Sequence, residues 1–178
     1  MSPPPPPVSG GADSAAVVVL MGVSGSGKTT VGTALAVALG WRFVEADDHH
    51  SPASIAKMTR GEALDDDDRR SWLDELRAII EEALVRGNRI VMACSALKAS
   101  YRARLGRAEA GRQVRFVYLA GPPELFRARL AQRAAHFMKA AMLDGQLATL
   151  EPPADALTID AVLPVADQVA QIRAALGL

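Results

Sequence analysis

Apolar residues fall into two kinds of run along this chain. Short continuous runs, AAVVVLM (15–21), WRFVEA (41–46), RIVMAC (89–94), VRFVYL (114–119) and ALTIDA (156–161), read as strands, and the unbroken ones as strands buried on both faces. Between them the apolar positions recur at helical spacing. Trp72, Leu73, Leu76, Ile79, Ile80, Ala83 and Leu84 form one such stripe, which predicts a helix from Asp65 to Arg86 stopped by Gly87. Further helices are expected over about 28–40, 51–61, 98–109, 122–133 and 165–177, with 134–153 partly helical. Five strands alternating with helices imply an α/β domain: a five-stranded parallel sheet with helices on both faces. No repeat or long linker divides residues 15–178, so they read as one domain. The Pro-, Gly- and Ser-rich residues 1–14 read as a disordered tail.

Composition narrows the function classes. Lys plus Arg and Asp plus Glu each number 20, so no net field draws the protein to nucleic acid or to an anionic membrane. No apolar run reaches the roughly 18 residues of a membrane span. The N-terminus lacks the charged start and apolar middle of a signal peptide. A single cysteine, Cys94, excludes an internal disulfide and suits a reducing, cytoplasmic setting.

Residues 22–29, GVSGSGKT, fit the pattern G-x-x-x-x-G-K-[ST] between a predicted strand and a predicted helix. There the backbone curls so that successive N–H groups face one anion, at the positive end of a helix. The reading assigns Gly22, Ser24, Gly25, Ser26, Gly27, Lys28, Thr29 and Thr30 to ATP, with Lys28 on the outer phosphates and the Thr29 hydroxyl on Mg²⁺. Motors, switches and small-molecule kinases share this loop, so the phosphate acceptor must be read elsewhere.

Open parallel sheets bind ligands at the carboxyl ends of their strands. The second strand ends in VEADDHH. If extended, it presents Glu45 and Asp47 on one face, one to hold a metal-bound water and the other to take a hydroxyl proton. The third ends in CSALKASYR, bringing Ser95, Lys98 and Arg102 to the same edge. DDDDRR (65–70) suits a helix start through the dipole alone, so most of its carboxylates are expected to be solvated. Trp72 reads as core rather than as a stacking platform.

These segments carry a resemblance. MGVSGSGKTT, EADDHH with IAKMTRGEALDDDDRRSWL, CSALKASYR, FVYLAGPPELFRARLAQR and HFMKAAMLDGQLATLEPP resemble the bacterial-type gluconate kinases, P-loop enzymes of the shikimate-kinase and nucleoside-monophosphate-kinase type. The likeness runs from about Val17 to the C-terminus. It implies a cytoplasmic enzyme, often dimeric, moving the ATP γ-phosphate to the 6-hydroxyl of D-gluconate under a mobile lid, here about 127–146. It implies Asp47 as base, His50, Lys57, Arg69, Lys98, Arg102, His136 and Gln146 on the substrate side, and Arg129 and Arg133 converging on the phosphates. Within DDDDRR it singles out Asp66, Asp68 and Arg69.

The chain also departs from the pattern. Ala134 and Ala135 stand where Lys-Gly or Arg-Gly is more usual, and Lys139 where many members have proline; loss of the glycine stiffens the hinge. No Asp closes the third strand, which leaves Glu45 and Asp47 as the carboxylates for magnesium. Two other classes share the loop: a regulatory nucleotide switch, which needs no acceptor pocket, and a kinase of another hydroxy acid such as shikimate. The glycine-rich stretch that shikimate kinases carry at the third strand is absent from RIVMACSALK.

Overall fold

The computed structural model describes residues 15–106, 113–132 and 136–178, with the side chains of 136–141 outside that description. The five strands are β1 (Val17–Met21), β2 (Arg42–Glu45), β3 (Ile90–Ala93), β4 (Val114–Ala120) and β5 (Leu157–Asp160). All pair in parallel, in the order β2-β3-β1-β4-β5. The helices are α1 (Lys28–Leu39), α2 (Pro52–Thr59), α3 (Asp66–Val85), α4 (Ala99–Leu105), α5 (Pro123–Ala131), α6 (His136–Thr149) and α7 (Val165–Leu176). A single 3₁₀ turn, Ala46–His49, follows β2.

The central strand shows why its run is unbroken. Val18 and Leu20 pack beneath α1, α5, α6 and α7, while Val17, Val19 and Met21 pack beneath α3 and α4. Alternate side chains serve opposite faces, so both faces must be apolar. Every residue of β1 is fully buried.

One expectation changes. Glu45 and Asp47 do not share a strand face, because β2 stops at Glu45 and the chain winds into the 3₁₀ turn. Ala46 is buried there, and its carbonyl accepts the indole N–H of Trp72 at 2.7 Å, which holds the turn down on α3. The acidic run is mostly exposed, as expected, with Asp65, Asp66 and Asp67 exposed and Asp68 partly buried. Asp65 caps α3 in a reciprocal capping box with Asp68, and Asp66 and Asp68 each hold a lysine. Asp67 keeps the expected exposure, paired with Arg70.

Leu130 in α5 and Leu143 in α6 are core residues, so the expected lid segment, 127–146, is packed near both ends. Arg133, Ala134 and Ala135 lie outside the described residues, as do the tail and the side chains of His136 and Lys139. No helix among the described residues is long and apolar enough to cross a membrane.

Candidate active site

The loop between β1 and α1 forms the floor of a cleft of about 270 Å³, lined by Ser24, Gly25, Gly27, Lys28, Thr29, Thr30, Glu45, Asp47, Leu130 and Met142. Gly25 and Gly27 have φ of 82° and 100°, a region side chains rarely adopt. A Cβ on Gly25 would stand 2.9 Å from the Phe126 carbonyl, so only glycine fits between loop and α5. The first turn of α1 carries no acidic residue, which leaves its positive end available to an anion. Lys28 folds back along the loop, its ammonium donating to the carbonyls of Gly22 and Val23 at 3.0 Å each. Ser24 donates its backbone N–H to Gln146 Oε1 at 2.6 Å, which brings α6 onto the loop.

Thr29 Oγ1 donates to Glu45 Oε2 at 2.7 Å. Burial pushes the Glu45 carboxyl above its ordinary range; the Thr29 bond opposes this, and the nearby Asp47 charge reinforces it. Two carboxylates and a hydroxyl at the end of a phosphate loop are hard oxygen donors that a divalent cation would relieve of mutual repulsion, so the residues fit magnesium.

The acceptor wall begins at His50. Its ring stacks on Trp72, with centroids 4.5 Å apart and planes 13° apart. Nε2 lies 3.9 Å from Asp47 Oδ1, and the side chain is only 7% exposed. Burial pushes the imidazole below its usual range; the Asp47 charge opposes this and the Arg69 charge adds to it. Burial thus favours the neutral, hydrogen-bonding form of His50. Trp72 is core, as expected, and is also the platform under His50, a role its place in the helical stripe did not reveal.

Four cations expected on the substrate side, Lys57, Arg69, Lys98 and Arg102, are not among the residues lining this cleft, and each has partners of its own. Lys57 Nζ lies 2.5 Å from Asp68 Oδ2 and 3.7 Å from Asp65. Lys98 Nζ reaches Asp66 Oδ1 at 2.7 Å and Oδ2 at 2.9 Å. Arg102 Nη1 donates to the carbonyls of Ala96 and Leu97 at 3.0 Å each, bracing the loop in which Ala96 takes a positive φ of 42°. Arg69 Nη1 donates to the Tyr101 hydroxyl at 3.3 Å. Cys94 stays inert nearby, its thiol pushed up to about 12 by burial.

On the far side of the loop a second cleft of about 420 Å³ is lined by Gly25, Ser26, Gly27, Thr30, Val31, Arg129, Gln132, Val165 and Gln168. Arg129 crosses its wall, donating to Ser26 O at 3.3 Å and Ala161 O at 2.7 Å. The sequence reading missed Glu151 as well as Tyr101. Glu151 Oε2 accepts the N–H of Ala99 at 2.6 Å and caps α4, where Lys98 supplies no side-chain cap. That contact joins residues 52 positions apart, and no local pattern announces it.

A family model described as an AAA domain matches residues 17–153. A gluconokinase from Gluconobacter oxydans is 45% identical over 136 residues, covering 76% of this chain and 75% of the relative. A probable gluconokinase from Xenopus tropicalis is 43% identical over 147 residues, covering 75% and 77%. The crystal structure of a gluconokinase from Sinorhizobium meliloti superposes with a TM-score of 0.80 at 40% identity, covering 93% of this chain and 92% of that one. The matched span contains the phosphate loop, the Glu45–Asp47 turn and the acceptor wall, and on these grounds the chain belongs to the gluconokinase family of P-loop kinases.

Proposed function

We propose that the protein transfers the γ-phosphate of ATP to the 6-hydroxyl of D-gluconate, giving 6-phosphogluconate and ADP. The observation that carries this reading is the cleft in which a phosphate loop faces Asp47, with His50 Nε2 3.9 Å from the Asp47 carboxylate and its ring stacked on Trp72. A regulatory switch would have no use for such a wall. A linear polyol acid needs a proton acceptor at its reacting end, neutral hydrogen-bonding groups along its length and a cation at its far end.

In this reading the nucleoside occupies the cleft beside Arg129, and the phosphates lie on the backbone N–H groups that precede α1. Lys28 follows the outer phosphates. Thr29 would ligate magnesium directly, with Glu45 and Asp47 holding its waters; the ion, when bound, neutralises charge on the β- and γ-phosphates. Asp47 takes the proton of the 6-hydroxyl as the new O–P bond forms and the bond to the β-phosphate oxygen breaks. His50, held flat on Trp72, orients the chain of the acceptor.

A coupled assay of ADP release with gluconate and shikimate side by side tests the assignment. Steady turnover with gluconate and only background with shikimate is expected. The reverse preference, or turnover independent of any acceptor, would overturn it.

A further inference from the structure

Among the described residues the expected substrate side carries four cations, Lys57, Arg69, Lys98 and Arg102, and their partners separate them. Lys57 and Lys98 are paired with carboxylates, and Arg102 is bound to backbone carbonyls. Among the described residues Arg69 is the cation of this set whose side-chain partners are neutral: the Tyr101 hydroxyl, and the Tyr101 ring 5.8 Å below its guanidinium carbon. A guanidinium offers five donors in a planar fork suited to a carboxylate. It stands close enough to His50 for its charge to act on the imidazole, and His50 stands beside Asp47. Arg69 and Trp72 stand three residues apart in α3, so Arg69 neighbours the ring on which His50 stacks, and a linear acid with its reacting hydroxyl at Asp47 can extend past His50 to Arg69.

Tyr101 explains why Arg69 is not paired. Asp66 is a potential partner, close enough for its carboxyl to be influenced by the Arg69 charge. Between them stands the Tyr101 hydroxyl, which accepts from Arg69 and donates to Asp66 Oδ1. Asp66 is further occupied by Lys98. Tyr101 is 6% exposed and sits in the core beneath α3, so its ring cannot swing away. We propose that Arg69 holds the substrate carboxylate and that Tyr101 is the positioning residue that keeps Arg69 from collapsing onto Asp66. Arg69, Asp66 and Lys98 together carry one net positive charge, matched to a single acid group.

This inference rests on the proposed gluconate kinase activity, and its test separates the two. Tyr101→Phe retains the buried ring and removes only the hydroxyl. KM for gluconate should rise roughly tenfold, with kcat within about twofold and KM for ATP unchanged. The inhibition constant of glucitol, the neutral alditol of the same length, should not move. Arg69→Met should raise KM for gluconate by about a hundredfold or more and again spare glucitol. Thermal melts of both variants establish that they fold, and Arg69→Met decides the carboxylate assignment even if Tyr101→Phe fails to fold. An unchanged gluconate KM in Tyr101→Phe would overturn the positioning role. Equal weakening of gluconate and glucitol in Arg69→Met would overturn the carboxylate contact. A wild-type enzyme that leaves gluconate unphosphorylated would overturn the activity itself and this inference with it.

Discussion

Glu45 and Asp47 stand two residues apart, yet their surroundings divide their work. Glu45 ends a strand against the first turn of α1, half-buried and hydrogen-bonded to the Thr29 hydroxyl. Asp47 projects from the 3₁₀ turn with its side chain 73% exposed, toward the acceptor wall. The first environment suits a group that organises metal-bound water, and the second a group that meets an incoming hydroxyl. Glu45→Gln keeps a hydrogen-bonding partner for Thr29 but removes the charge. It should raise the magnesium concentration needed for half-maximal rate more than it raises KM for gluconate, and titrations of rate against each will compare the two. Asp47→Asn preserves shape and removes the proton acceptor. It should lower kcat by about a hundredfold or more, the scale of a positioned acid–base group, while nucleotide binding measured by calorimetry survives. A near-normal kcat would assign the transfer to positioning and electrostatics alone.

Whole elements were legible where local rules decide them. The five strands follow from apolar runs, the stop at Gly87 from its positive φ of 66°, and the phosphate loop from its glycines. What sequence alone hid is what distant segments do to one another. Period-two reasoning put Glu45 and Asp47 on one face because nothing near them says that Trp72, in α3, will draw the Ala46 carbonyl inward and wind the strand end into a turn. The acidic start of α3 is mostly exposed, as its sequence suggests, but the partners it finds there, Lys98, Tyr101 and Lys57, come from other segments. The contact of Gln146 with the loop has the same character. Leu143, fully buried, fixes α6 against the core, and Gln146 lies one turn further on, 122 positions from the Ser24 amide it meets. Leu143→Ala should therefore cost about 2–5 kcal/mol of stability by chemical denaturation. It should also raise KM for ATP, because the element that braces Ser24 is loosened. A stability loss with unaltered nucleotide kinetics would separate α6 from the loop.

At the scale of the molecule, the order β2-β3-β1-β4-β5 sorts the chemistry by side. Segments after β2 and β3 build the acceptor wall; segments after β4 and β5 build the nucleotide wall; β1 delivers the phosphate loop between them. A parallel sheet whose neighbouring connections diverge opens a crevice at such a point, and that crevice is where the two substrates meet. Arg129 joins three parts of the nucleotide wall: it leaves α5, reaches the loop at Ser26 and reaches the chain beyond β5 at Ala161. Ala161 is fully buried, so its carbonyl depends on this donor and on little else from solvent. Arg129→Met keeps much of the aliphatic stem and deletes both donors. Unfolding in urea should show a loss of about 1–3 kcal/mol, the usual range for a buried acceptor left without its partner. KM for ATP should rise while KM for gluconate stays near the wild-type value, because no described contact links Arg129 to Asp47, His50 or Arg69. A parallel rise in both constants would mean that the two walls are coupled through the loop, and that the division of labour by side of the sheet does not hold.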